Sequence, residues 1–228
     1  MNLRGKANGE VFQTAAGDVY QRLRKAILMG EIKPQARLVR RTLAKEYGVS
    51  HIPVAEALLK LEQDGLVESA PMFGARVKSI TPERILEEQE LREAIECHCA
   101  RLCAQKMTSE KLARLRQLVP PVDRLMAQEA DPSSWEGMNL HLEFHLEIAR
   151  QSEVPLLVRE LQRIGFLELM RTIWINSTEF YQMPRNWHKT LVDALASGRA
   201  STAEAAMRRH VRYGLDHLLD AARKISAL

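Results

Sequence analysis

The sequence predicts a mainly α chain in two units: a small front unit ending in a short hairpin, and a rear antiparallel all-α bundle of about six helices. Three observations carry this. Apolar residues recur at helical spacing through most of the 228 residues, in a composition rich in Ala, Leu, Arg and Glu with only 5% aromatics, which favours helix. Gly and Pro divide the periodic stretches into segments of ordinary helix length. At Ser79-Ile80-Thr81-Pro82 an N-cap followed by proline opens a new run of helices, so residues 1–79 and 80–228 are read as separate domains.

Residues 1–16 show little periodicity and read as an arm. From Asp18 to about Met29 a helix places Val19, Leu23, Ile27 and Leu28 on one side, and Gly30 stops it. Glu31-Ile32-Lys33-Pro34 is a connector, and Leu38-Val39 leads into the stretch from Leu43 to Val67. That stretch reads as a short helix, a tight turn at Gly48 and a second helix between Ser50 and Gly65. Ser50 suits an N-cap, Pro53 falls in the first turn, and Val54, Leu58 and Leu61 recur at i, i+4 and i+7. Two helices over a Gly turn form an αα-corner or a helix-turn-helix, whose second helix enters a DNA major groove. Directly behind, two β-compatible runs flank a Pro/Gly turn at residues 71–74. That hairpin makes the motif a winged helix, with Arg76 and Lys78 on the wing.

Bulk properties exclude several classes. Hydrophobic residues at 46% and charged ones at 27% are ordinary for a globular chain. No apolar run reaches the ~20 residues that cross a bilayer and no signal-peptide core opens the chain, so a cytoplasmic protein without a membrane partner is expected. The net charge of +4 is uneven: residues 1–79 hold 13 Lys/Arg against 8 Asp/Glu, residues 80–228 hold 20 against 21. The excess lies in the winged-helix half, as a phosphate-binding surface requires. Cys97, Cys99 and Cys103 share one helix with no Cys or His pair at zinc-finger spacing, and read as buried reduced thiols.

In the rear unit, helices are expected at 82–106, at 109–129 with a break or kink at Pro120-Pro121, and at 131–150, 154–178, 184–197 and 201–224, the last capped by Ser201. His141 and His145 stand one turn apart on the third of these, and His188 and His210 fall in the last two. Four imidazoles from three helices can converge on a metal in a bundle core. Hydrogen-bonded core histidines are the competing reading. His98 and His217 read as structural or solvent-facing.

The run from Val19 to Val77 resembles the N-terminal domain of GntR-type transcriptional regulators. The ordered landmarks are Ile27-Leu28-Met29-Gly30, Lys33-Pro34, Leu43-Ala44, Gly48-Val49-Ser50, Pro53-Val54, Glu56-Ala57-Leu58, Leu61, Gly65-Leu66-Val67 and Gly74. Residues 82–222 resemble the FCD-type effector-binding domain that accompanies it, and the six-helix count resembles its smaller, VanR-like subgroup. The resemblance implies DNA contact by Arg41, with Arg40, Lys45, Ser50, His51, Pro53, Arg76 and Lys78 completing the expected surface. It also implies that His145, His188 and His210 hold a divalent metal, with His141 where the family carries Asp. Arg92 and Glu96 match an Arg/Glu pair of the family near the effector, and Arg171 joins them as a candidate effector contact.

Two departures from the family pattern matter. His51 and Ala55 stand where Arg is usual, which removes a route to G·C selection of ~1–3 kcal/mol per contact and shifts affinity toward phosphate contacts. An all-nitrogen ligand set leaves the ion's charge uncompensated and suits zinc, or nickel, over manganese or magnesium. Such a site would attract a small organic carboxylate, with Arg92 as a second anchor; if His141 is no ligand, the site has lost its metal. The expectation is a homodimeric, ligand-responsive DNA-binding repressor on a palindromic double-stranded operator, and no enzyme. The alternative is a helical-bundle metalloenzyme with an appended nucleic-acid-binding domain, against which Glu143 in H-x-E-x-H points away from the face shared by His141 and His145.

Overall fold

In a computed structural model, Thr14 opens helix α1 (Ala15–Leu28), its Oγ1 accepting from the Gly17 amide at 3.1 Å, so the helix starts three residues before Asp18. The structure describes residues 14–70, 74–79, 81–125, 135–164 and 184–226. The predicted arm up to residue 13, the hairpin tip, the Asp131-Pro132-Ser133 helix start, the later part of the expected 154–178 helix and Arg171 lie outside the described residues.

Strand β1 (Arg37–Val39) precedes α2 (Arg40–Tyr47), and α3 (His51–Gln63) follows the turn, where Gly48 takes φ 66°. Strands β2 (Val67–Ala70) and β3 (Gly74–Val77) form the expected hairpin, but the sheet has three strands, antiparallel in the order β1-β3-β2. Sequence reading saw Leu38-Val39 only as a lead-in. Gly74 leaves no room for a side chain beside β1: at φ 111° an added Cβ would lie 2.4 Å from the Leu38 carbonyl oxygen. The stripe read from sequence is the buried one, with Val54, Leu58 and Leu61 joining Val19, Leu23, Ile27, Val67 and Val77 in one core. Each such aliphatic side chain contributes ~1.5–3 kcal/mol on burial.

Thr81 accepts from the Arg84 amide at 3.3 Å and Pro82 follows, opening α4 (Pro82–Gln105) as predicted. Then come α5 (Ser109–Arg124), α6 (Trp135–Gln151), α7 (Pro155–Arg163), α8 (Trp187–Ala196), α9 (Ala200–Arg212) and α10 (Leu215–Ser226). Three expectations need correction. Of the break or kink expected at Pro120-Pro121, the break does not occur: α5 runs through both, because the carbonyls they leave unbonded belong to exposed Arg116 and Gln117, where water can reach them. The predicted last helix is two helices, divided at Gly214 with φ 79°, and its N-cap is Arg199 rather than Ser201.

α4 is the central post of the rear unit. It buries Ile85, Ile95 and all three cysteines, and also polar Gln89, Arg92, Glu93 and Glu96. The cysteines are free, and burial pushes their thiols up to about 11 for Cys97 and about 12 for Cys99 and Cys103. Glu93 accepts from Arg208 at 2.6 Å and from Arg212, and Gln89 donates to the Val211 carbonyl at 3.0 Å. These bonds lock α9 to α4 on both sides of His210. Lys106 and Lys111 donate to the Ser152 and Gln151 carbonyls at 2.8 and 3.2 Å, satisfying the C-terminal end of α6 and fixing the helix that carries His141 and His145. Arg84 ties the units together, donating to the Gly65 carbonyl at 3.0 Å, while Trp135 packs on the front core. No helix among the described residues is long and apolar enough to cross a membrane.

Candidate metal centre and nucleic-acid interface

The four predicted histidines meet. His141 and His145 from α6, His188 from α8 and His210 from α9 are all buried, and one ring nitrogen of each lies within 4.8 Å of the others. On their outer sides, two imidazoles are held by carboxylates. His145 donates through Nδ1 to Glu96, and His188 through Nδ1 to Asp123 at 2.9 Å. An acceptor on Nδ1 assigns the tautomer and turns the Nε2 lone pair inward, the usual support for a metal-ligating histidine. Glu96 is held in turn by Arg92, Nε to Oε1 at 2.5 Å. Burial raises the Glu96 carboxyl, but the charges of His145 and Arg92 and their hydrogen bonds outweigh it and bring it down to about 2. Asp123 also accepts from the backbone amides of His188 and Lys189 at 3.0 and 3.3 Å, so it caps α8 and aims His188 at once.

Inside the cluster, His141 Nε2 and His145 Nε2 pair with each other at 3.2 Å, and three other ring nitrogens lack partners. His141 Nδ1, His188 Nε2 and His210 Nδ1 are buried without a hydrogen bond, an arrangement costing ~1–3 kcal/mol per group. Burial, and then the neighbouring imidazoles, push His141 and His210 well below the ordinary histidine range; burial also lowers His188, against the pull of Asp123. Four buried imidazoles, each offering one ring nitrogen within 4.8 Å of the others, fit a divalent cation in chemistry and in number. Trp187 stacks on His210 with ring centroids 5.5 Å apart and planes at 16°, and Phe144 sets its edge against His145 and His188.

Beside the cluster a cavity of about 410 Å³ is lined by His145, Arg92 and Glu96 and, from the front unit, by Tyr20, Arg24, Lys60 and Asp64. Tyr20 donates to Asp64 at 2.5 Å, and the Lys60 ammonium lies 4.2 Å from the Tyr20 ring centre. At the other end of the front unit, Arg40, Arg41, Lys45, Ser50 and His51 are exposed and Pro53 is half-buried.

This architecture has counterparts. The family model described as "Bacterial regulatory proteins, gntR family" matches residues 15–77, and the "FCD domain" model matches residues 88–213. The chain belongs to the GntR family. An HTH-type transcriptional regulator in an unstable DNA locus of Streptomyces ambofaciens is 30% identical over 210 residues, 90% of this chain and 86% of that one. HTH-type transcriptional regulator McbR of Escherichia coli is 27% identical over 175 residues, covering 74% and 77%. The solved structure of E. coli McbR/YncC shares the fold at TM-score 0.72 with 22% identity, over 91% of this chain and 98% of that one. As a GntR-family protein with an FCD domain, the chain is a ligand-responsive DNA-binding transcriptional regulator and not an enzyme. Glu143, the residue a metalloenzyme would need, pairs instead with Arg150 at 2.5 Å on the outer face of α6.

Within this GntR frame some expected residues also have partners inside the protein. Glu96, expected at the effector, lines the cavity and accepts from His145 and Arg92. Lys78 acts electrostatically on Glu88 of α4, and Arg76 donates to Gln35 at 3.0 Å, so these two are partly committed within the protein. Ser50 stands at the N-cap position without making a side-chain capping bond. Asp123, Trp187 and the four front-unit residues of the cavity were missed. Only Trp187, directly before His188, carried a local signal.

Proposed function

We propose that this regulator is a homodimeric repressor with residues 1–79 as its DNA-binding domain and residues 80–228 as its sensing and dimerisation domain. His141, His145, His188 and His210 bind a divalent metal, zinc before nickel, and the metal supplies Lewis acidity toward an anionic ligand. A small carboxylate fits the adjacent cavity, where Arg92 offers a charge-assisted anchor. The observation that carries this reading is the gathering of four buried imidazoles, with one ring nitrogen of each within 4.8 Å of the others, backed by carboxylates on His145 and His188. Repression has the support of a relative in Paenarthrobacter nicotinovorans named "Probable D-xylose utilization operon transcriptional repressor", 26% identical over 87% of this chain and 86% of its own length. We further assign the chain to the VanR-like subgroup, reading α9 and α10 as one helix interrupted at Gly214.

Arg40, Arg41, Lys45, Ser50, His51 and Pro53 contact a palindromic operator, with two α3 helices about one helical turn apart. Metal analysis of protein purified without added metal is expected to find zinc or nickel, with Trp187 fluorescence reporting its removal and return. A protein that takes up no zinc overturns the sensing site. Gel-shift titration of DNA flanking its own gene, with candidate carboxylates and with chelator, tests the response. Operator binding unaffected by any of them would overturn the carboxylate reading.

A further inference from the structure

Helix α3 exposes an apolar ridge where a DNA-reading helix usually carries polar side chains. Ile52 is 70% exposed and Leu59 56%, and Ile52 is the most exposed large hydrophobic among the described residues. Seven residues apart on a helix of 3.6 residues per turn, they point the same way, and half-buried Ala55 shares their side. Val54, Ala57, Leu58 and Leu61 take up the opposite, buried side. Single exposed aliphatics are common on any surface, but this ridge runs along the second helix of a helix-turn-helix and begins at its N-terminus, where base edges are met. Exposed Arg40, Arg41 and Lys45 of α2 supply the complement to phosphates flanking a groove.

The same face offers guanine no bidentate donor. From His51 to Leu59 there is no Lys or Arg, hence no bidentate donor for guanine O6 and N7. Glu56, the acidic residue of that stretch, meets those two acceptors with another acceptor. Lys60, one position further on, lies over the Tyr20 ring. The group in a major groove that an aliphatic ridge complements is the 5-methyl of thymine.

We propose that α3 recognises thymine by its 5-methyl group, with Ile52 and Ala55 as the specificity-determining side chains and Leu59 extending the contact. The inference rests on the regulator reading, in which α3 enters the groove. It predicts operators with A·T pairs beneath the first two turns of α3, where Arg-bearing relatives would read G·C.

The test uses the full-length protein to select duplexes from a random-sequence pool. Dissociation constants are then measured by fluorescence anisotropy on a selected duplex and on the same duplex with deoxyuridine replacing thymidine, which removes the methyl groups and nothing else. About fourfold weaker binding per contacted methyl is expected, from the transfer free energy of one buried methyl or methylene. Ile52→Ala, at an exposed position and verified as folded by circular dichroism, is expected to bind the thymidine duplex more weakly than the wild type and to lose about fourfold of the discrimination between the two duplexes for each methyl that Ile52 contacts. The rest stays with Ala55 and Leu59, and discrimination equal to the wild type's overturns the role of Ile52. Equal wild-type affinity for both duplexes, or selected sites with G·C beneath the ridge, overturns the inference while leaving DNA binding intact. A pool that yields no enriched duplex overturns both.

Discussion

Asp123 offers the sharpest test of how the histidine cluster is built, because one carboxylate does two jobs. It receives the His188 and Lys189 amides at the start of α8 and the His188 Nδ1–H at 2.9 Å. Burial raises the Asp123 carboxyl and these hydrogen bonds outweigh that, so it is held below its ordinary range and remains charged near neutral pH. Asp123→Ala removes a helix cap, about 1 kcal/mol, and leaves a buried imidazole N–H unpaired, ~1–3 kcal/mol more. Metal-free protein is therefore expected to unfold in urea with a free energy lower by ~2–4 kcal/mol. Loss of the carboxylate behind a ligating histidine weakens metal binding by roughly 10–100-fold, which at fixed saturating zinc removes a further ~1.4–2.7 kcal/mol of metal-dependent stabilisation. Asp123→Asn retains an acceptor and the shape, so it should keep most of the metal-free stability while losing much of the affinity. Urea titrations followed by circular dichroism with and without zinc, and competition against a chromophoric chelator, read the two effects separately. Wild-type stability in Asp123→Ala together with zinc affinity within about twofold of wild type would refute the account of both the cap and the ligand support.

Three other outcomes follow from geometry already described. Gly74→Ala pushes a methyl group to 2.4 Å from the Leu38 carbonyl oxygen at φ 111°, so thermal unfolding should show a front unit weaker by ~1–3 kcal/mol with zinc uptake unchanged. Arg41→Ala removes one proposed phosphate contact, and the slope of log affinity against log salt should fall by roughly one unit; an unchanged slope would take Arg41 out of the interface. Burial pushes Cys97 to about 11 and Cys99 and Cys103 to about 12, so at pH 8 almost no thiolate is present. A colorimetric thiol reagent should label the native protein slowly and the urea-unfolded protein at once, and fast native labelling would contradict the packing of α4.

What the sequence disclosed is what local pattern encodes. The apolar stripe of α3, the Thr81-Pro82 start of α4 and the one-turn spacing of His141 and His145 depend on neighbours within a few residues, and each reappears in the fold. β1 escaped because three residues are too few to show an alternation. Pro120 and Pro121 misled because their cost depends on whether the freed carbonyls face water, which only the packing decides. Gly214 lies in a stretch whose periodicity continues on both sides, so the division between α9 and α10 was invisible. Asp123 was beyond reach for another reason: its partner His188 is 65 residues away, and an aspartate near the end of a helix reads as a solvated charge. The four imidazoles of the cluster were legible, while of the two carboxylates behind them Glu96 was named only as an effector contact and Asp123 not at all, since imidazoles advertise their chemistry and carboxylates are everywhere.

The same packing gives the proposed sensing a short route to DNA. Lys60 belongs to α3 and Asp64 is its C-cap residue, and both line the cavity that His145 and Arg92 line from the other side. A ligand there changes operator affinity only through contacts that differ between two placements of the front unit. A hundredfold change requires a coupling free energy of ~2.7 kcal/mol, and one hydrogen bond to a charged group supplies ~1.5–3 kcal/mol. A single contact to Arg24 or Lys60, made in one placement and absent in the other, is therefore enough. Coupling on that scale needs no chain of relayed shifts through the bundle, because the helix proposed to read thymine also forms part of the wall of the ligand cavity.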